Sequence, residues 1–337
     1  MRTKNILRRK EMNYKCKYIG NEDQLMTVQE STLCQGRQKG VKLIHIENSN
    51  GLSVSILPDR GMDIYQVRFK GKNLNYIAPC GVVAPEYYDA RGLEWLRGFY
   101  CGFLTTIGLQ HFGGPRGENG LHGREAYAPA ENVTIERGIE KGQPTVTVKG
   151  TMREAMIFGA SLRLTRTIKV FCNDNKIEMS DEVENYGFTK QQYVLGYHIN
   201  YGWPLLSEDT KIEVAHSAVK GRDDYAAKFI KDINKVPAPA SDFPERCYIY
   251  DMKTTAKNMT GYTIRNAKAG VGVKVSYPTA DFPKLCQWQY FTSGQYVMGL
   301  EPLVCELDAP LVGEKNSPAP VLAAGQKKEH KITFEFV

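Results

Sequence analysis

Four stretches of this chain interrupt a strand-like pattern with side chains suited to polar contacts. Leu57-Pro58-Asp59-Arg60-Gly61-Met62-Asp63-Ile64 carries two acids and an arginine. Thr105-Thr106-Ile107-Gly108-Leu109-Gln110-His111-Phe112-Gly113-Gly114 leads on to Leu121-His122-Gly123-Arg124, and its glycines let backbone come close to a ligand. Gly196-Tyr197-His198-Ile199-Asn200-Tyr201-Gly202-Trp203-Pro204 ends a strand with a histidine, an asparagine and aromatics. Val297-Met298-Gly299-Leu300-Glu301-Pro302 places a carboxylate at the end of an apolar strand. Each stretch also has a purely structural explanation. Asp59-Arg60-Gly61 makes a tight turn, His122 a satisfied core histidine, and Glu301 the end of an edge strand.

Several chemistries are unmatched. No G-x-x-x-x-G-K-[ST] or G-x-G-x-x-G loop occurs to cradle a phosphate, and no G-x-S-x-G elbow to present a nucleophile. His111, His122 and His198 do not lie three to five residues from one another, so the spacing of a zinc site is missing. The eight cysteines (16, 34, 80, 101, 172, 247, 286 and 305) include no C-x-x-C pair. They read as reduced, buried small hydrophobes, which favours the cytoplasm.

The elements that must position these residues are strands. Val133 and Ile135, Val146 and Val148, Ile212 and Val214, and Ile332, Phe334 and Phe336 alternate with polar residues, as a half-buried strand requires. Leu162, Leu164, Ile168 and Val170 do the same with one slip at Arg166-Thr167, where a bulge fits. Ten further candidates are 42–47, 51–57, 63–70, 176–183, 191–199, 246–250, 260–265, 270–277, 284–291 and 295–300. Turn clusters such as Asn48-Ser49-Asn50-Gly51 punctuate them. Helical periodicity is confined to one short candidate around Gly92–Leu96, and no βαβ alternation occurs. About fifteen strands predict an all-β fold: a large antiparallel β-sandwich with at most one or two short helices.

Lys+Arg 44 against Asp+Glu 37 gives a formal charge of +7 over 337 residues. Residues 1–17 hold seven basic side chains and one acid, which leaves only +1 for 18–337. The expectation is a basic, flexible tail (1–17) ahead of a single β-sandwich domain (18–337), with no nucleic-acid partner. No run of 18 apolar residues predicts a membrane span.

Taken together, the order and spacing of the four stretches and Arg153-Glu154-Ala155 resemble the aldose 1-epimerase (galactose mutarotase-like) superfamily. The branch they resemble has long been left as a domain of unknown function. The resemblance runs from about Val41 to Val337. It implies a large β-sandwich, sometimes called a supersandwich, and an isomerase that interconverts the α and β anomers of a free monosaccharide without metal or cofactor. By position, Glu301 resembles the base that takes the C1 hydroxyl proton, and His198 the acid that protonates the ring oxygen. His122 resembles a second histidine that holds the substrate. Arg60, Asp63, Arg124, Glu154 and Asn200 are candidates to read sugar hydroxyls, with Gln110 and His111 at the rim. Trp203, Trp288 and Tyr197 are candidates to lie against a pyranose. The better-known galactose mutarotases carry Pro-Tyr-Phe after the acid where this chain has Ile199-Asn200-Tyr201, so the sugar itself is left open. The alternative is a non-catalytic carbohydrate-binding protein on the same scaffold. A lyase or glycosidase, and a sugar phosphate as the substrate, are further options. The oligomeric state is not legible.

Overall fold

The computed structural model describes residues 17–309 and 312–337. All but the last residue of the expected basic tail, and Cys16, lie outside the described residues. The chain folds into two large antiparallel sheets, in line with the expected all-β sandwich.

The larger sheet runs in the order Met26–Thr32, Lys42–Asn48, Leu52–Leu57, Asp63–Phe69, Leu104–Leu109, Val194–Tyr201, Gln295–Leu303, Lys284–Thr292, Arg246–Met252 and His216–Gly221. Lys72–Asn73 pairs onto Asp63–Phe69. The smaller runs Thr210–Val214, Met259–Asn266, Val271–Pro278, Lys327–Phe336, Lys176–Asn185, Ser161–Phe171, Gln143–Ala155 and Glu131–Glu140. Phe103 meets Phe334 across the core at 5.2 Å between ring centroids, and Tyr201 meets Tyr262 through their hydroxyls at 3.0 Å. Helix among the described residues amounts to one α-helical turn, Asp224–Ala227, and short 3-10 turns such as Glu94–Gly98. None is long and apolar enough to cross a membrane.

The fifteen expected strands are present, but three full strands carry no alternating signal. Leu104–Leu109 is central and buried on both faces, so its sequence does not alternate. Met26–Thr32 and His216–Gly221 are edge strands, largely exposed on both faces. The stretch from Thr105 that interrupts the alternating pattern therefore begins as the middle of the large sheet.

One correction concerns Arg166. The register of Ser161–Phe171 with both neighbours is unbroken, so no bulge exists there. Leu162, Leu164, Arg166, Ile168 and Val170 all point inward, and the arginine is wholly buried. Its Nε and one terminal nitrogen donate to the Asp181 carboxylate at 2.9 and 2.6 Å. The other terminal nitrogen donates to Asp63 at 2.8 Å, and Thr106 Oγ1 accepts a further bond. A buried cation keeps its place in an apolar face only with such partners. The cysteine expectation is also corrected in part: Cys101, Cys172, Cys247, Cys286 and Cys305 are buried, but Cys34 and Cys80 are exposed, and all seven are free.

Candidate active site

The four central strands of the large sheet turn one face to the interior and the other to an irregular cover. On that outer face, strand alternation brings His198, Glu301, Cys286 and Trp288 together. Cys286 lies opposite Glu301, and Trp288 opposite Gly299. Gly299 is also opposite Asn200 on the other side. A side chain at 299 would put its Cβ 2.7 Å from Glu301 Oε1 and 3.1 Å from His198 Cε1, so glycine is what leaves room for both groups.

The cover comes from the 3-10 turn Glu94–Gly98 and from the segment 111–123. Trp95 and Phe99 descend from the first; His122 comes from the second. His122 has a left-handed backbone (φ 58°), and Gly123 follows it with φ 77°. A Cβ on Gly123 would fall 2.3 Å from His111 O and 2.5 Å from Gly108 O. That close approach pins the loop to the central strand, where Gly108 N donates to His122 O and Arg124 N to Gly108 O.

Together these residues enclose a cavity of about 330 Å³ lined by His122, His198, Glu301, Trp95, Phe99 and Trp288, with Arg222, Glu245, Cys247 and Cys286 among the remaining walls. His198 Nε2 lies 3.3 Å from Glu301 Oε1, and both side chains are almost fully buried. The imidazole is boxed by rings: Phe99 at 5.0 Å, Trp288 at 5.3 Å and His122 at 5.7 Å. Burial pushes the Glu301 carboxyl well above its usual range and lowers His198 to about 3. His198 Nδ1 has no hydrogen-bond partner. His122 Nδ1 accepts the Gly113 backbone N–H at 3.2 Å, so Nε2 carries its proton. Burial also holds the His122 pKa well below the usual value, and this ring is therefore a neutral donor.

Of the ten candidates, His198, Glu301 and His122 meet in the cavity. The other seven do not line it. Arg60 is buried, stacked 4.0 Å over the Tyr127 ring, and donates to the carbonyls of Ala126, Val83 and Gly98. It ties the cover loops together instead of facing a ligand. Asp63 accepts from Arg166 and from Thr106 Oγ1 at 2.6 Å, in the core; burial raises its carboxyl to about 6. Glu154 accepts the backbone N–H groups of Leu109 (2.6 Å) and Gln110 (3.2 Å), fastening the end of the central strand. Gln110 is half-buried with its Nε2 atom buried and unpartnered, and Arg124 is exposed near Glu154. The His111 ring Nε2 contacts Gly114 O at 2.8 Å, which braces its loop. Asn200 donates to His198 O at 2.9 Å. Of the three aromatic candidates, Trp288 lines the cavity, Tyr197 faces the core and Trp203 lies outside.

Arg222, Glu245, Cys247, Cys286, Trp95 and Phe99 were not singled out by the sequence. The two cysteines sit at ordinary apolar strand positions, and the arginine follows an edge strand in a loop. Arg222 donates to Asp308 at 2.8 Å, and Glu245 accepts the Trp288 indole N–H at 2.7 Å. Among the described residues no group of three His, Cys, Asp or Glu is placed to hold a metal.

The same fold occurs in solved structures. A Klebsiella pneumoniae protein provisionally named an aldose 1-epimerase aligns with a TM-score of 0.84 at 22% identity, over 94% of this chain and 86% of that one. A galactose mutarotase-like protein of Clostridium acetobutylicum aligns with a TM-score of 0.66 at 13% identity, over 93% and 99%. Galactose 1-epimerase of Lactobacillus acidophilus aligns with a TM-score of 0.59 at 13% identity, over 93% and 99%. None of the curated proteins matches the chain. With the aldose 1-epimerase fold established by these likenesses and a family model matching residues 38–336, the chain belongs to the family described as "Domain of unknown function (DUF4432)".

Proposed function

We propose that the protein is a mutarotase acting on a free monosaccharide, with Glu301 as base, His198 as acid and His122 as a fixed donor. The observation that carries this reading is the 3.3 Å contact between His198 Nε2 and Glu301 Oε1 inside a partly enclosed pocket. Its volume lies at the low end of the roughly 300–1,000 Å³ of ligand cavities, a size suited to one sugar ring.

Mutarotation needs only proton transfers around one carbon. The hydroxyl oxygen O1 and the ring oxygen O5 are both bonded to C1, so an acid and a base in mutual contact can serve both. In ring opening, the Glu301 carboxylate takes the O1 proton, the C1–O5 bond breaks, and the His198 imidazolium protonates O5. The aldehyde carbon rotates about C1–C2, and the reverse transfers close the ring on its other face. The pair holds one proton throughout: on His198 before opening, on Glu301 after it. Burial favours the neutral arrangement, with the proton on Glu301. The resting pair therefore passes its proton to His198 before opening a ring. His122, whose Nδ1 is already occupied, offers Nε2–H to a substrate oxygen and carries no proton away. Trp288, Trp95 and Phe99 supply apolar walls for a pyranose face.

The test is anomer exchange, followed by polarimetry or saturation-transfer NMR across freshly dissolved aldoses. Faster exchange of at least one sugar with micromolar protein, lost in Glu301→Gln, is expected. If no sugar equilibrates faster than in buffer, the proposal fails. Sugar binding that persists without exchange would instead point to a non-catalytic carbohydrate-binding protein. Glu245 brings a second carboxylate to the cavity, which favours a glycosidase as the other reading. Release of new reducing ends from oligosaccharides would mark that activity.

A further inference from the structure

Two residues past Tyr201, where the His198 strand ends, lies Trp203, which the candidate active site does not use. Trp203 is 73% exposed, whereas Trp95 is 1% exposed. It borders a separate groove of about 790 Å³. Gln66, Arg68, Lys72, Asn73 and Tyr76 form the parts of the groove that matter chemically.

Several of these side chains are held in place. The Tyr76 hydroxyl donates to Gly294 O at 3.1 Å, which fixes its ring at the groove. Asn73 Nδ2 donates to Trp203 O at 3.3 Å, and Gln66 Nε2 to Asn73 Oδ1 at 3.5 Å. Lys72 donates to Ala269 O. Among the described residues, neither Arg68 nor Lys72 has a carboxylate within ion-pairing distance, and no acidic residue lines the groove. Elsewhere many of the surface cations are paired, as Arg91 with Asp89 or Lys220 with Glu306.

We infer that this groove is a second binding site, and that its ligand is an acidic saccharide. Three features converge on that class. An exposed indole offers a flat apolar surface for a pyranose face. The Gln66 amide keeps its carbonyl oxygen and one N–H for a hydroxyl, while both Asn73 Nδ2 hydrogens are used on Asn75 O and Trp203 O. Two unpaired cations call for negative charge on the ligand, because electrostatic complementarity sets which partner is accepted. Nucleic acid fits less well. Strong binding to it draws on many phosphate contacts, whereas two cations on a nearly neutral body neutralise about two.

The test is calorimetric titration of the full chain with trigalacturonate, galactotriose and a single-stranded DNA twelve nucleotides long. The expected result is that trigalacturonate binds at least tenfold more tightly than galactotriose and than the DNA. Trp203→Ala and the double variant Arg68→Ala/Lys72→Ala each weaken that binding at least tenfold. Both substitutions are on exposed side chains, so folding is retained. Anomer exchange is unchanged in both variants. The inference is overturned if trigalacturonate does not bind, if galactotriose binds equally well, if the DNA binds more tightly, or if Trp203→Ala has no effect. A wild-type protein without mutarotase activity sinks the function proposed above, and the titration still decides this site independently.

Discussion

Tyr197 and His198 are neighbours in one strand and serve opposite faces of it. Tyr197 points into the sandwich and donates to Asp181 at 2.7 Å, joining the cluster of Arg166, Asp63 and Thr106. His198 points outward to Glu301. Both clusters are buried, but they are completed differently. Every nitrogen of the Arg166 guanidinium has an acceptor, and both carboxylates are met by donors. On the outer face, among the described residues, His198 keeps an unpartnered Nδ1, and Glu301 has no lysine or arginine bonded to it. A completed buried network is rigid and fixes the packing of two sheets. An incomplete one keeps unspent hydrogen-bonding capacity, which is what the proposed proton-transfer site requires.

Substitutions separate the two clusters. The largest effect is expected from Glu301→Gln, which removes the proposed base while preserving shape. Anomer exchange should fall about 10²–10⁴-fold, measured by polarimetry. Arg166→Met should act on stability instead, by leaving Asp63 and Asp181 buried without their cation. A loss of about 3–5 kcal/mol in urea unfolding is expected; a loss below about 1 kcal/mol would remove the clamp role. Gly299→Ala intrudes on Glu301 and His198 together, and should cost about 10–100-fold in kcat with a smaller change in unfolding midpoint. The smallest effect concerns pH. Glu301 has a folded-state pKa raised above its unfolded value, so its contribution to stability is full below about 4.3 and is lost as pH rises through the folded value. Gln does not titrate. The Tm of Glu301→Gln should therefore exceed that of the wild type at pH 8, by on the order of a few degrees, and converge with it near pH 4. A constant difference across that range would show that Glu301 is not held in a desolvated state.

Much of the fold is legible in the sequence, because a half-buried strand writes its environment as alternation. Where both faces are buried, as at Leu104–Leu109, or both exposed, as at Met26–Thr32, the alternation vanishes and so does the signal. Arg166 shows a different limit. A charged residue at an inward position looks like a slip in register, and only its partners from 63, 106 and 181 reveal that the register is intact. The site shows the same division. His198, His122 and Glu301 were named from their local settings, and they do converge. Arg60 has an equally suggestive setting, yet its guanidinium is spent on three loop carbonyls.

The sequence by itself determined the alternation of the strands, the small net charge of the body and the residue types available for proton transfer. Each is a property of short segments, set by side-chain period and composition. Tertiary structure decided which polar residues face a cavity and which are sealed in the core. That choice depends on contacts between residues more than a hundred positions apart, such as His198 with Glu301 and Asp63 with Arg166. Desolvation then separates the two outcomes, because the same burial stabilises a completed network and leaves an incomplete one poised to exchange a proton.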